Sequence, residues 1–370
     1  MKKMLLLLAA AVIFSNEPVS ASGHSLTSEI EFLGQVVFNT GHIFQNTEVG
    51  GLSGLAFDPS SGDYLCISDD KGLINPARFY RLRIELGDGR LEPGDIVFSE
   101  VITLKQASGQ PYSRRTLDPE GIAIGGSGGN VFICSEGDVR HSTKPWVAEF
   151  SPRGQFLRKL GLPSRFVTSS DSTGFRNNAN LESLTLAPSG LFLFTSVEHS
   201  LKEDGPLPDT RTSSMARIVK YDLAKDRVVR ECFYEIDRIV LEPDRNGLYG
   251  RNGMVELIAM DDSVLLVLER SYIPGAGNRV KLFRIDSRNA ADVSDHNGTP
   301  GLANAPKESI LDLSSLGLPL DNFEGMALGP ALPDGRRTLI LVSDNNFNES
   351  QRTLFFAFAF GRTNDSTKDR

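Results

Sequence analysis

A short apolar pattern recurs five times along this chain, and it constrains the fold more than any other feature. The copies are Ser53-Gly-Leu-Ala-Phe57, Glu120-Gly-Ile-Ala-Ile124, Glu182-Ser-Leu-Thr-Leu186, Glu256-Leu-Ile-Ala-Met260 and Glu324-Gly-Met-Ala-Leu328. Their first positions lie 67, 62, 74 and 68 residues apart. After a turn, each copy is followed by a second apolar run that ends in an acid: Asp69, Glu136, Glu198, Glu269 and Asp344. A near-fixed period of this size means one supersecondary unit used repeatedly, and a closed array of such units is one domain whatever its length.

Within each copy the two runs are short and rich in Val, Ile, Leu and Phe. Turn residues separate them, as in Asp58-Pro-Ser-Ser-Gly62 and Gly125-Gly-Ser-Gly-Gly129. This is the signature of a β-hairpin. A third strand is predicted at 78–86, 146–151, 217–223, 280–285 and 354–360. It alternates apolar with polar residues, so one face is buried and the other wet. A fourth is readable at 96–104, 156–160, 228–236 and, more weakly, 309–313.

Four antiparallel strands repeated around an axis make an all-β propeller. The count of copies predicts five blades. A sixth, hidden in 289–307 or 201–214, stays open as the alternative. The last copy has only three strands, and the strand-like segment Ile30–Phe38 is expected to join it and close the ring, which leaves no terminal sheet edge open. Long loops rich in Gly, Pro, Asn and Asp, such as 106–117 and 163–180, suit functional sites.

The chain opens with a basic start, an apolar run from Met4 to Phe14 and a small-residue site ending at Ala21. That reads as a secretory signal over 1–21, with the propeller at 28–361 and a polar tail at 362–370. No later segment approaches a membrane span, so an exported protein, periplasmic or secreted, is expected. The formal net charge of −8 becomes −9 once the leader's two lysines and one glutamate are removed. Such an acidic chain suits neither nucleic acid nor an anionic membrane, but it suits cations and small ligands. A monomer is expected. The three cysteines (Cys66, Cys134 and Cys232) cannot form a disulfide framework. They read as small buried hydrophobes, with one bridge between neighbouring repeats as the alternative.

The two strands of a hairpin run in opposite directions, so the start of the first and the end of the second meet at one end of each blade. Ser53, Glu120, Glu182, Glu256 and Glu324 should therefore crowd one channel mouth together with Asp69, Glu136, Glu198, Glu269 and Asp344. Nine of these ten are carboxylic. Close pairs in a partly dry site repel by several kcal/mol, on the order of 4 kcal/mol at 4 Å. Interleaved bases relieve part of this: Lys71, Arg140, Lys202 and Arg270 follow strand-end acids, and Arg176 and Arg251 precede strand starts. The acids outnumber these bases, so a bound hard cation is expected. Ca2+ fits best, since it takes about 6–8 oxygen ligands in flexible geometry. A purely structural role for single acids, holding loop N–H groups, stays open.

Other motifs carry less. Gly125-Gly-Ser-Gly-Gly129 matches a serine-hydrolase elbow in letters, but it lies between two strands rather than before a helix. The five histidines show no metal spacing. His199, beside Glu198, is the one with a chance of reaching the mouth.

Together the stretches Asp118-Pro-Glu-Gly-Ile-Ala123, Asn180-Leu-Glu-Ser-Leu184, Leu266-Val-Leu-Glu-Arg-Ser-Tyr272, Asp321-Asn-Phe-Glu-Gly-Met-Ala327 and Leu341-Val-Ser-Asp-Asn-Asn-Phe347 are specific. On them the chain resembles the phytase-like family, described as having esterase-like activity of phytase. The resemblance spans roughly Gly51 to Phe360 and implies an exported β-propeller with Ca2+-dependent chemistry directed at phosphoesters. Ser53 departs from the acid of the other copies, and propeller phytases proper have six blades.

The resulting expectation is an exported Ca2+-dependent hydrolase of a phosphate ester, with a metal-bound water as nucleophile. Asp69, Glu120, Glu136, Glu182, Glu198, Glu256, Glu269, Glu324 and Asp344 are the candidate metal ligands. Glu182, Glu256, Arg270 and Arg140 are the candidate catalytic residues, the arginines clamping a small anionic substrate. Two readings stand beside it: a non-catalytic Ca2+- or ligand-binding propeller, and a carboxylic-ester hydrolase or lactonase using the same face.

Overall fold

Each pair of apolar runs folds into the hairpin that its turn residues dictate, and the third and fourth strands pack outward from it. The structure is a computed structural model that describes residues 30–125, 128–239, 250–298 and 301–361. The leader at 1–21 and the tail at 362–370 lie outside the described residues.

The chain begins with β1 (Ile30–Asn39) and a two-residue-per-arm hairpin, β2 (Ile43–Phe44) and β3 (Thr47–Glu48). The first blade is β4 (Leu52–Asp58), β5 (Asp63–Ser68), β6 (Arg78–Ile84) and β7 (Ile96–Thr103). The second is β8 (Pro119–Gly125), β9 (Asn130–Ser135), β10 (Trp146–Phe150) and β11 (Phe156–Lys159). The third is β12 (Leu181–Leu186), β13 (Phe192–Val197), β14 (Ser214–Asp222) and β15 (Arg227–Ile236). The fourth is β16 (Arg251–Ala259), β17 (Val264–Ile273), β18 (Gly277–Asp286) and β19 (Lys307–Asp312). The fifth contains β20 (Asn322–Ala331), β21 (Arg337–Asp344) and β22 (Arg352–Phe360). Its outer strand is β1, paired antiparallel from Ile30 opposite Phe360 to Asn39 opposite Arg352.

Five four-stranded antiparallel blades thus form a propeller, closed by the N-terminal strand as expected from the sequence. Among the described residues there is no sixth blade. The described residues of 201–213 and 289–306 hold only short 3-10 turns and loop.

Burial grades outward, as the strand patterns require. β5 is buried at every position, whereas β7 and β11 alternate. The apolar core lies between neighbouring blades rather than on the axis. One cluster joins blades two, three and four. Three more fill the junctions of blades five and one, four and five, and one and two. Cys66, Cys134 and Cys232 are free and buried within this packing, as small hydrophobes.

Ring closure depends on a bulge in β1 at Gly34. Its φ is +132°, and a Cβ there would stand 2.3 Å from the Leu91 carbonyl oxygen. Leu91 N–H in turn donates to Leu33 O at 3.0 Å, tying the closing strand to blade one. Gly34→Ala is expected to destabilise the protein by about 2 kcal/mol through strain and loss of this contact. A urea midpoint unchanged from wild type would refute that.

Candidate functional site

The inner hairpins place the mouth residues through a repeated backbone irregularity. In blade one Leu52 pairs with Ser68 and Gly54 with Ile67, so Ser53 is bulged out of the ladder. Glu182 and Glu324 occupy the same bulge in blades three and five, and Glu120 lies within the wider irregularity of blade two. A bulge re-aims a side chain, here toward the axis. The residue after the second strand faces the same mouth, and its N–H bonds across the hairpin end: Asp69 to Gly51 O at 2.7 Å, Glu136 to Asp118 O at 2.9 Å and Glu198 to Asn180 O at 2.7 Å.

Blade four departs from the sequence reading by one residue. Met254 pairs with Glu269 and Glu256 with Leu268, so the bulged residue is Val255. Glu256 falls where the other blades have Gly54, Gly121, Ser183 and Gly325, and Arg270 falls where the other blades have their strand-end acid. A one-residue slip in a strand exchanges its faces.

Two of the nine expected ligands are therefore displaced. Glu269 turns away from the mouth and accepts from Tyr234 Oη at 2.6 Å, Lys307 Nζ at 2.7 Å and Asn252 Nδ2 at 2.9 Å. Glu256 sits one layer deeper, fully buried, and accepts from the backbone N–H of Leu257 at 3.0 Å. The N–H groups of Leu184 and Met326 also point to it, and burial holds its carboxyl well above the ordinary range against them. That layer is too tight for most side chains: a Cβ on Gly121 would lie 2.7 Å from Leu184 N. Glu256 is a plug joining three blades, removed from the cup of acids, so it is not a catalytic candidate.

The acids that do gather are Asp69, Glu120, Glu136, Glu182, Glu198, Glu324 and Asp344, joined by Asp118, which the list of repeat positions missed. Single ligand atoms of Asp118, Glu120 and Glu136 lie within 4.8 Å of one another, and all three residues are buried. Asp118 Oδ1 is buried without a hydrogen-bond partner, while Oδ2 accepts from Lys71. Burial first, then the mutual repulsion of neighbouring carboxylates, pushes Asp69, Glu120, Glu136 and Glu182 well above the carboxylate range. Burial raises Asp118 too, against the pull of Lys71. Glu324 is pushed up to about 8 by burial, with Arg270 opposing, and Asp344 to about 6.

Two cations stand inside the cup. Arg270 donates from Nη2 to Glu324 Oε1 at 2.8 Å and lies 3.9 Å from Glu198 Oε1, with its Nε buried and unpartnered. Lys71 is pulled down by burial, but Asp118 and the nearby glutamates outweigh this and hold it above the usual ammonium range. Ser53 donates to Glu120 O at 2.9 Å and only stitches blades one and two. Arg140, placed at the rim, bonds Asp138 from Nε at 3.3 Å, and Lys202 turns to Ser169 Oγ at 2.8 Å. Neither enters the cup. At the opposite end the channel widens into an apolar funnel of about 430 Å3 lined by Leu55, Ile122, Leu184, Leu257 and Met326.

A family profile described as phytase-like, esterase-like activity of phytase, matches residues 47–347. The chain belongs to the phytase-like family. A phytase-like chain of this kind is also similar to an uncharacterized secreted protein of Arthroderma benhamiae, 27% identical over 141 residues. That match spans 32% of this chain and 26% of the relative, so the chain covers about a quarter of it. Among solved structures it is similar to a periplasmic gluconolactonase of Pseudomonas aeruginosa, at 12% identity and a TM-score of 0.36, covering 86% of this chain and 85% of that one. It is also similar to a tail fibre of Staphylococcus aureus phage P68, at 13% identity and a TM-score of 0.42, covering 90% of this chain and 52% of that one. These likenesses are too distant to speak for shared chemistry. Among the described residues no helix is long and apolar enough to cross a membrane.

Proposed function

We propose that the phytase-like chain is an exported hydrolase that cleaves a phosphate ester of a small anionic substrate at the acidic mouth, with Ca2+ held in the cup. The observation that supports this is the buried triad of Asp118, Glu120 and Glu136, with ligand atoms within 4.8 Å of one another. Carboxyl groups this close and this buried can ionise together only at a cost of several kcal/mol, on the order of 4 kcal/mol per close pair, and a cation relieves it. The donor set is all oxygen and flexible, which suits a hard ion of variable coordination. Asp118, Glu120 and Glu136 would hold it, with Asp69 and Glu182 beside them.

A bound Ca2+ supplies charge neutralisation, polarisation of a phosphoryl oxygen and activation of a water. The chain's own contribution is orientation. Arg270, fixed by Glu324, and Lys71, paired with Asp118, are the two cations in the cup placed to meet an anion. Glu182 lies deep among the acids, where burial and the neighbouring carboxylates raise its carboxyl above the ordinary range in the metal-free chain, and it is the acid placed to exchange a proton there. Export fits this reading, because extracellular Ca2+ sites work at about 10⁻⁴–10⁻³ M.

The test is hydrolysis of p-nitrophenyl phosphate and phytate by the purified protein, with Ca2+ and with EGTA. Turnover is expected only with Ca2+, and Glu136→Gln is expected to lower it by about 100-fold. Equal background in both conditions overturns the reading. A Ca2+-dependent melting shift without turnover favours the non-catalytic binding propeller instead, and turnover of carboxylic esters alone favours the lactonase-like alternative.

A further inference from the structure

At the end of the channel away from the acids the chemistry reverses. All five inner strands, β4, β8, β12, β16 and β20, line the funnel there, which measures about 430 Å3. That is room for about 14 waters at about 30 Å3 each. The wall holds water poorly, because only Thr185 and Arg337 of its residues carry a polar side chain. The Thr185 hydroxyl is engaged already, accepting from Ala259 N at 3.2 Å. Glu256, buried just before the funnel residue Leu257, stands between this space and the cup. An apolar group that displaces loosely held water binds favourably. A cavity of about 300–1,000 Å3 with apolar walls and a few orienting polar groups is the usual form of a small-ligand site.

The charges around the lip single out Arg337. Among the described residues, the carboxylates of the hairpin turns at this end are answered locally. Asp58 accepts from Ser60 Oγ at 2.6 Å and Ser61 Oγ at 2.9 Å, and Asp261 from the N–H groups of Ser263 and Val264, both at 2.7 Å. Asp262 accepts from Ser189 Oγ at 2.5 Å, and Asp334 from Arg336 Nε at 2.7 Å. Arg337 opens β21 and has no ion pair among the described residues; its guanidinium lies 5.8 Å from the Phe360 ring centroid. Partial burial disfavours its charge, and no carboxylate lines the funnel to compensate. An anion placed beside it removes that cost. The same four aspartates make the lip a poor landing surface for an anionic bilayer or for a second copy of this acidic chain. A single chain with one negative head needs only Arg337.

We propose that the funnel is a binding site for a free single-chain amphiphile, an aliphatic carboxylate of medium length, with its tail among the five inner strands and its head at Arg337. This goes beyond the hydrolase reading. The site lies at the other end of the channel, needs no Ca2+ and uses none of the acids of the cup.

The experiment is calorimetric titration of the full chain in EGTA with hexanoate, octanoate, decanoate and decanol, all below their aggregation limits. One-to-one binding is expected, about 3–4-fold tighter for each methylene added until the funnel is full. Arg337→Gln is expected to weaken decanoate about 5–10-fold and decanol less than about 2-fold. Leu186→Glu, at a half-buried position on the wall, is expected to weaken both. Its melting temperature checks the fold, and the chain-length series and Arg337→Gln decide the question without it. Absence of binding by every chain overturns the proposal, as does a series whose affinity does not rise with length. An equal effect of Arg337→Gln on decanoate and decanol overturns the role given to the head. Binding to phosphatidylglycerol vesicles without binding of free decanoate makes the funnel a membrane contact, and a dimer in sedimentation that binds no decanoate makes it a subunit contact; either result overturns the free ligand.

Discussion

The metal-free protein is expected to lose stability as pH rises from about 5 to 8.5, by several kcal/mol in total. The cup acids bind their protons more tightly in the folded chain than in the unfolded one. Glu324 moves from 4.5 to about 8 and Asp344 from 3.8 to about 6, and Asp69, Glu120, Glu136 and Glu182 move in the same direction. Below the unfolded values both states are protonated and no penalty exists. Between the unfolded and folded values the native state holds more protons, so stability falls with rising pH until the folded groups have titrated. For Glu324 alone, the shift corresponds to on the order of 5 kcal/mol. Across the window the melting temperature in EGTA should drop by about 10 °C. Saturating Ca2+ should flatten the curve, because it binds the deprotonated carboxylates. A melting temperature in EGTA that is flat or rising between pH 5.5 and 8.5 would show that the acids are not packed as described.

Arg217→Met is expected to be the most damaging single substitution outside the cup, at about 3–5 kcal/mol. The Arg217 guanidinium is fully buried. Nε donates to Asp204 Oδ2 at 2.6 Å, Nη2 to Asp204 Oδ1 at 2.8 Å, and Nη1 to Glu231 Oε2 at 2.8 Å. It also bonds the carbonyls of Val293 at 3.1 Å and His296 at 2.9 Å. Removing it leaves two buried carboxylates without their main counterion and releases two long loops from blade three. Replacing Asp204 and Glu231 by leucine in the same chain should recover much of the loss, since an apolar substitute for a whole buried ion network is close to neutral. Urea unfolding of the two variants measures both steps. A single variant within 1 kcal/mol of wild type would refute the assignment.

The loops that Arg217 fastens are the segments in which the sequence left room for a sixth blade. Their length is explained by this polar anchor. The blade count itself was legible, because strand period and turn chemistry repeat with the same spacing in all five copies. Ring closure was legible for a related reason: 30–38 is strand-like and the last copy lacks a strand. The site was legible only to within one residue. Acids stand at adjacent positions in the fourth copy, so Glu256 and Glu269 match the pattern of letters while Val255 and Arg270 occupy the places that face the mouth. A signal for the true register exists in the residues before each start: Gly51-Leu-Ser-Gly, Asp118-Pro-Glu-Gly, Asn180-Leu-Glu-Ser, Gly253-Met-Val-Glu and Asn322-Phe-Glu-Gly align with a small or amide residue first in four of the five. That alignment also exposes Asp118 as the one carboxylate in its column.

The partnership of β1 with β22 has a consequence for how the chain reaches its final form. The fifth blade is assembled from the two extremes of the described chain, so it cannot be completed until synthesis has passed Phe360. A nascent chain would hold four finished blades and an open seam, and only late docking of the first strand would seal it. Until that docking, β22 stands as an unpaired sheet edge, so the last strand made is also the one most open to pairing with another chain.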